Sequence, residues 1–202
     1  MKRYYLLLLF LVITGFAYTQ TTKMVIGECT ITYSIKIAND TGEATKILYI
    51  KGKKTRSEIV SPSFVQTTIY DNKTGTAVIL RELNGEKYLS KFNAAAWKEK
   101  NKEWENLKMT LTNESKTILG YTCKKAIATT PSGKKFVLYY TTGLAPSASE
   151  NPYEFKDIPG IVLEYESETG EDKSIVFKAI KIDFSPVPAA KFEIPESGYR
   201  VL

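Results

Sequence analysis

From Val25 to Ile37 every second residue faces one way: Val25, Gly27, Cys29, Ile31, Tyr33, Ile35 and Ile37, with Glu28, Thr30, Thr32, Ser34 and Lys36 between them. A period of two over that length describes a β-strand with one buried face, since a helix would scatter the same residues around its circumference. The pattern then repeats along the chain. Asn39-Asp40-Thr41-Gly42 supplies turn residues and Ala44–Lys51 returns as a second strand. Further strands are predicted at Arg56–Val60, Phe64–Tyr70, Thr76–Leu83 and Lys87–Lys91. They are separated by Asp71-Asn72-Lys73-Thr74-Gly75 and by Asn84-Gly85, a strong hairpin signal.

One helix interrupts the series. Asn93 can cap it, Ala94-Ala95-Ala96 favour it, and Trp97, Asn101 and Trp104 share one face at helical spacing. Strands resume at Lys108–Thr112, Lys116–Thr129 and Lys135–Thr141, with Pro131-Ser132-Gly133 as a turn. Gly143 to Pro159 reads as a long ordered loop with room for a helical turn. Ile161–Ser167 and Lys173–Phe184 form a last hairpin around the acidic turn Glu168–Asp172. The result is a mostly β fold. It is a single curved antiparallel sheet of about ten strands, a half-barrel, with the one main helix covering its concave face.

The first residues carry a different signal. Lys2 and Arg3, an apolar run from Leu6 to Ile13 and the small-residue exit Ala17-Tyr18-Thr19 make a secretory signal peptide over residues 1–19, too short in its apolar core to span a membrane. No cysteine stands at the exit, and Cys29 lies too far downstream to be a lipid anchor. Residues 20–202 are then expected to be one exported, periplasmic domain with no transmembrane span. Removal of Lys2 and Arg3 takes the net charge from +6 to +4, mild and well mixed. The basic group Lys51, Lys53, Lys54 and Arg56 is read as a solvated hairpin end, and no nucleic-acid partner is expected.

The composition removes the histidine-dependent catalytic systems, while serine with lysine and paired carboxylates remain to be weighed. The chain has no histidine, which excludes Ser-His-Asp and Cys-His systems and the usual zinc sites, and two cysteines cannot build a thiolate cluster. Ser132-Gly133-Lys134-Lys135 fits S-x-x-K and Lys73-Thr74-Gly75 fits K-T-G. Their order is reversed for a penicillin-recognising enzyme, and the serine falls in a turn instead of opening a helix. Glu164 and Glu166 project from one strand face, read as solvated. The turn Glu168, Glu171, Asp172 lacks the ligand density of a calcium loop. Asn39, Asn72 and Asn113 head glycosylation sequons, relevant only in a eukaryotic source. No enzyme activity, metal or cofactor is expected. Cys29 and Cys123 can pair in an oxidising compartment or remain two separate buried thiols; the residues leave both open.

Three stretches in order, Ile118-Leu119-Gly120-Tyr121-Thr122-Cys123-Lys124-Lys125-Ala126, Tyr139-Tyr140-Thr141-Thr142 and Asp157-Ile158-Pro159-Gly160-Ile161-Val162-Leu163-Glu164-Tyr165, resemble the GLPGLI family of exported Bacteroidetes proteins and its uncharacterised neighbours. The closing Phe192–Tyr199 segment also fits. Pro159 and Gly160 agree with the family motif, whereas Asp157, Ile158 and Ile161 depart from it. The resemblance implies a fold similar to the lipoprotein carriers LolA and LolB, a curved incomplete barrel closing on an apolar cavity, and implies no activity. Pro159 and Gly160 are read as structural, a sharp turn into Ile161–Ser167 in which Pro fixes φ and Gly permits unusual φ/ψ.

On that basis the expected function is non-enzymatic binding of a lipid, a lipoprotein acyl chain or another hydrophobic ligand. Ile31, Tyr33 and Ile35 would form the concave wall, and Trp97 and Trp104 the lid, unless the two tryptophans only dock the helix. The alternative is a cell-envelope interaction module that binds a protein partner through a sheet edge or the loop Gly143–Pro159 and has no cavity.

Overall fold

The computed structural model describes residues 23–37, 42–150, 152–168 and 174–202. The predicted export segment, the turn at 39–41 and most of the acidic turn lie outside these residues. The strands in chain order are β1 (Met24–Ile26), β2 (Glu28–Ile37), β3 (Ala44–Lys51), β4 (Lys54–Ser61), β5 (Phe64–Asp71), β6 (Thr76–Leu83) and β7 (Glu86–Phe92). After the helix α1 (Ala94–Lys100) and a 3-10 turn at Lys102–Trp104 come β8 (Lys108–Ile118), β9 (Tyr121–Thr129), β10 (Lys135–Thr141) and β11 (Leu144–Pro146). The chain ends with β12 (Ile161–Glu168), β13 (Ser174–Asp183), a 3-10 turn at Ala189–Phe192 and β14 (Arg200–Val201).

Twelve of these strands form one sheet in the order β14-β7-β6-β5-β4-β3-β2-β13-β12-β10-β9-β8, antiparallel except for the β14–β7 pair. The sheet is curved and not closed. A length argument shows why it curls. β7 and β8 stand ten strand steps apart in that order, about 48 Å on a flat sheet. The segment 93–107 that joins them contains α1 and a 3-10 turn, so it reaches only about 35 Å. The two ends of the sheet must approach each other. Irregular pairing between Ala179 and Lys181, between Tyr139 and Tyr140, and between Leu111 and Ser115 bends the strands further.

Register defines the inner face. Cys29, Ile50, Thr55, Tyr70, Ala77 and Phe92 lie in one cross-strand row from β2 to β7. Ile31, Tyr33 and Ile35 share this face and pack with Leu138, Leu163, Tyr165 and Phe177 in the main core. α1 sits on the same face at the β5–β7 end, capped by Asn93, whose Oδ1 accepts from the Ala96 N–H at 2.9 Å. Trp97 stacks on Tyr70 with ring centres 6.1 Å apart and meets Phe92 at 5.5 Å. The helix ends at Lys100, so Trp104 leaves that face and packs edge-on against Phe136 on β10, at 5.8 Å. The remainder of the inner face is covered by residues 147–150 and 152–160, from which Phe155 and Ile158 reach the core.

The outer face carries the C-terminal segment as a strap. Tyr199 covers Val78, Leu80 and Leu89, Val187 donates its N–H to Glu28 Oε2 at 2.8 Å, and Arg56 Nη1 donates to the Lys191 carbonyl at 2.8 Å.

Two expected strands are divided. Gly27 separates β1 from β2, because β1 leaves the main sheet to pair in parallel with β11. Lys116–Thr129 is broken by a tight turn at Leu119 (φ 51°) and Gly120 (φ 81°). Leucine at positive φ carries no turn signal, so alternation alone runs through it.

Candidate ligand-binding cleft

β1 and β11 begin the site. Their pairing, with the Met24 N–H to the Gly143 carbonyl and the Ser147 N–H to the Ile26 carbonyl, starts the covering loop at one end of the sheet. Ser147 Oγ then donates to the Gly52 carbonyl at 2.6 Å, tying the loop to the β3–β4 turn. Asn72, in the β5–β6 turn, binds the loop backbone twice: Nδ2 donates to the Ser149 carbonyl at 3.0 Å and Oδ1 accepts from the Ser149 N–H at 3.1 Å. The Asn72 of the sequon is thus a backbone clamp whose amide is already occupied. On the far side Gly160 returns the chain to β12.

Between this loop and the inner face lies a cleft of about 870 Å³. Its apolar wall includes Leu48 and Ile50 from the sheet, Phe155 and Ile158 from the loop, and Ile161 and Val162 at the start of β12. Lys23, Lys53, Lys73 and Lys156 stand around it, with Glu150 and Asn72. A second cleft of about 460 Å³ lies beside Trp104, Tyr153 and Asp157.

Behind Glu150 is the most unusual side chain of the interior. Lys46 points from β3 into the core and is only 2% exposed. Its ammonium forms an ion pair with Glu150 and donates to Tyr165 Oη at 2.7 Å. It lies 5.1, 4.9 and 5.4 Å from the ring centres of Tyr33, Tyr165 and Phe177, an aromatic box in which Tyr165 presents its hydroxyl edge. Tyr33 Oη donates to the Val162 carbonyl at 2.9 Å, which fixes one wall. Sequence reading missed Lys46. The one signal was its place on the inward-facing parity of β3, between Ala44 and Leu48.

The structure places the expected cavity residues unequally. Ile31, Tyr33 and Ile35 are buried on the inner face, and of these Tyr33 borders the large cleft. Trp104 borders the smaller one, and Trp97 lines neither. Cys29 and Cys123 are both buried free thiols. Pro159 and Gly160 line the large cleft. The reason for Gly160 differs from the expected one: it is not among the glycines with positive φ. A Cβ there would stand 2.0 Å from the Thr141 carbonyl oxygen and 3.3 Å from that of Leu144. Close backbone approach, not unusual φ/ψ, requires glycine.

Neither tempting catalytic pair assembles. Ser132 engages Thr130 at 2.9 Å inside the β9–β10 turn, and Lys73-Thr74-Gly75 forms the β5–β6 turn, five strands or more away in the sheet order. Glu164 is held on the outer face by Lys116 at 2.5 Å, with the ammonium over the Tyr139 ring. Lys53 donates to the Ser147 carbonyl at the cleft, whereas Lys51 and Arg56 of the basic group engage Glu28 and Glu58 elsewhere. Among the described residues no cluster of three metal-ligating side chains occurs, and no helix is long and apolar enough to cross a membrane.

Burial pushes the Tyr33 and Tyr165 hydroxyls well above the ordinary tyrosine range, with the nearby charge of Glu150 acting the same way. Burial also pushes the Cys29 thiol up to about 11 and raises that of Cys123, so neither is a thiolate nucleophile at neutral pH. These groups hold their protons more tightly in the folded chain. Their stabilisation is therefore complete below the ordinary values of 9.0 and 10.0 and is lost as pH rises toward the folded values. Once above the ordinary tyrosine value, the unfolded chain releases two tyrosine protons that the folded chain keeps, a slope of about 2.7 kcal/mol per pH unit. Urea unfolding measured from neutral pH upward is expected to show a steep loss of stability beginning at about pH 9 to 10. Tyr165→Phe should make that loss shallower, and an unchanged midpoint through strongly alkaline pH would contradict it.

Residues 31–184 match the family described as the N-glycanase peptide N-terminal domain. No curated protein matches the chain. Among solved structures, PNGF-II in two crystal forms aligns at 16% and 18% identity, with TM-scores of 0.50 and 0.49, over 87% and 86% of this chain. The chain spans 31% and 30% of the length of those PNGF-II structures. MucB aligns at 10% identity over 87% of this chain and 60% of its own, with a TM-score of 0.41. A LolA-superfamily protein from Nitrosomonas europaea aligns at 8% identity over 86% of this chain and 93% of its own, with a TM-score of 0.35. The matched family span runs from within β2 to just past the end of β13 and takes in the aromatic box, the covering loop and the cleft residues other than Lys23: the chain belongs to the N-glycanase peptide N-terminal domain family.

Proposed function

We propose that this chain is a non-enzymatic binding module that is exported to the periplasm and holds a hydrophobic ligand in the cleft between its curved sheet and the loop 147–160. The observation that carries the reading is the cleft itself, about 870 Å³ with apolar residues on both walls, within the size range of small-molecule sites. Its cover is mainly the loop, with the helix confined to one end of the sheet. The absence of histidine from the sequence and the raised thiols of Cys29 and Cys123 support binding over catalysis. The family is named for an N-glycanase, and we read this chain as a binding module of the kind that accompanies such an enzyme. The likeness of its Pro159-Gly160 segment to GLPGLI proteins and the signal at residues 1–19 belong to the same proposal.

Native mass spectrometry of the protein purified from its own periplasm tests it. The expected spectrum shows a chain beginning at Gln20 with a lipid-sized adduct that leaves on collisional activation. A chain that co-purifies with a protein and no small molecule would favour the interaction-module reading. β8, the longer of the two edge strands of the sheet, with Leu111 51% exposed, is where such a partner strand would add. A chain without any adduct would count against both readings.

A further inference from the structure

A buried cation paired with a wall residue of an apolar cleft is a specific chemical feature. Lys46 is satisfied in part by the phenol oxygen of Tyr165 and by the nearby rings of Tyr33 and Phe177, but a full positive charge away from water also needs an anion. That anion does not come from the sheet. Glu150 supplies it from the covering loop, one residue beyond the Ser149 clamp, and Glu150 is itself a wall of the cleft. Its side chain keeps 15% of its exposure, against 3% for Lys46, so water reaches the carboxylate side of the pair and not the ammonium. Glu154, on the same loop, adds negative charge near Tyr165.

We propose that Glu150 is a built-in stand-in for a ligand headgroup, and that the cleft takes a long-chain aliphatic carboxylate whose own carboxylate replaces Glu150 on Lys46. This rests on reading the cleft as a hydrophobic-ligand site. The chain of the ligand would lie along Leu48, Ile50, Ile161 and Val162. Exchange of one carboxylate for another leaves Lys46 paired throughout. Burial of the alkyl chain and the return of Glu150 to water then drive binding. A single ammonium fits a singly charged carboxylate better than a phosphate, which asks for several converging donors. The lysines around the opening, Lys23, Lys53, Lys73 and Lys156, give a field that draws an anion toward it.

The test is calorimetric titration of delipidated protein with decanoate and with decanol, for the wild type, Glu150→Gln and Lys46→Met. The wild type is expected to prefer decanoate by about tenfold or more. Glu150→Gln, which removes the competing carboxylate, should strengthen decanoate binding by about another tenfold and leave decanol within about twofold. Lys46→Met should bring the two ligands to equal affinity. Equal affinity of both ligands for the wild type overturns the inference and leaves the cleft reading standing. So does a decanoate preference that survives in Lys46→Met, which would put the headgroup on the outer lysines. Binding of neither ligand to the wild type removes the cleft reading itself. If Glu150→Gln does not fold, the wild type and Lys46→Met alone decide by the same criteria.

Discussion

Glu150→Ala is expected to destabilise the folded chain by about 3 kcal/mol, the lower end of the range for removing one partner of a buried ion pair. The lower end applies because the Glu150 carboxylate is partly wet and the aromatic box stays in place around the ammonium. For a chain of this size the melting temperature should fall by about 6 to 12 °C. Lys46→Met should cost less, about 1 kcal/mol, although it breaks the same pair. The methionine keeps apolar contact with Tyr33 and Phe177, and the stranded Glu150 lies on the cleft wall where it can turn to water. The double variant Lys46→Met/Glu150→Leu should recover most of the loss from Glu150→Ala. Denaturant unfolding of the three variants checks the order. Equal losses from the two single changes would mean that the pair is not buried on the lysine side.

Gly160→Ala is expected to cost about 3 kcal/mol, near the upper end for overpacking, because what a new methyl group meets is backbone. The Thr141 carbonyl at 2.0 Å cannot rotate away as a side chain would; β10 or the start of β12 must move. The same shift would distort the cleft wall that Pro159 and Gly160 share with Ile161. Gly143→Ala is the control: its nearest neighbour to a new Cβ is the Thr141 hydroxyl at 3.5 Å, an ordinary contact, so it should be close to neutral. Thermal melts of the two variants decide the matter. A harmless Gly160→Ala would show that the strand junction is looser than the close approach of these carbonyls implies.

Most of the strand set was legible because alternation is a local signal. Ala44–Lys51 and Thr76–Leu83 form over the predicted residues, and Asn93 caps the helix as predicted. The division at Gly27 was not legible, since it depends on β11, more than a hundred residues later, drawing β1 out of the main sheet. The turn at Leu119-Gly120 was hidden because leucine is a poor marker of positive φ. The site was less legible than the fold. Tyr33 was found at its edge by parity, but Trp97 and Trp104 suggested a tryptophan lid, and the short helix sends the two rings to opposite parts of the sheet. Lys46 and Glu150 lie over a hundred residues apart, one on a strand and one on a loop, and no spacing rule joins such a pair.

The sequence by itself determined a histidine-free, antiparallel β fold with one capped helix, because alternation, turn residues and capping act within a few residues of each other. Only the tertiary structure decided what covers the inner face and what chemistry lies beneath it. The link between β7 and β8 is too short for a flat sheet, so the sheet curls. Cross-strand register on the adjacent strands β3, β2, β13 and β12 sets Tyr33, Tyr165 and Phe177 around one lysine, with Lys46 opposite Tyr33 and Phe177 opposite Tyr165. The burial of that lysine is what gives Glu150 its place.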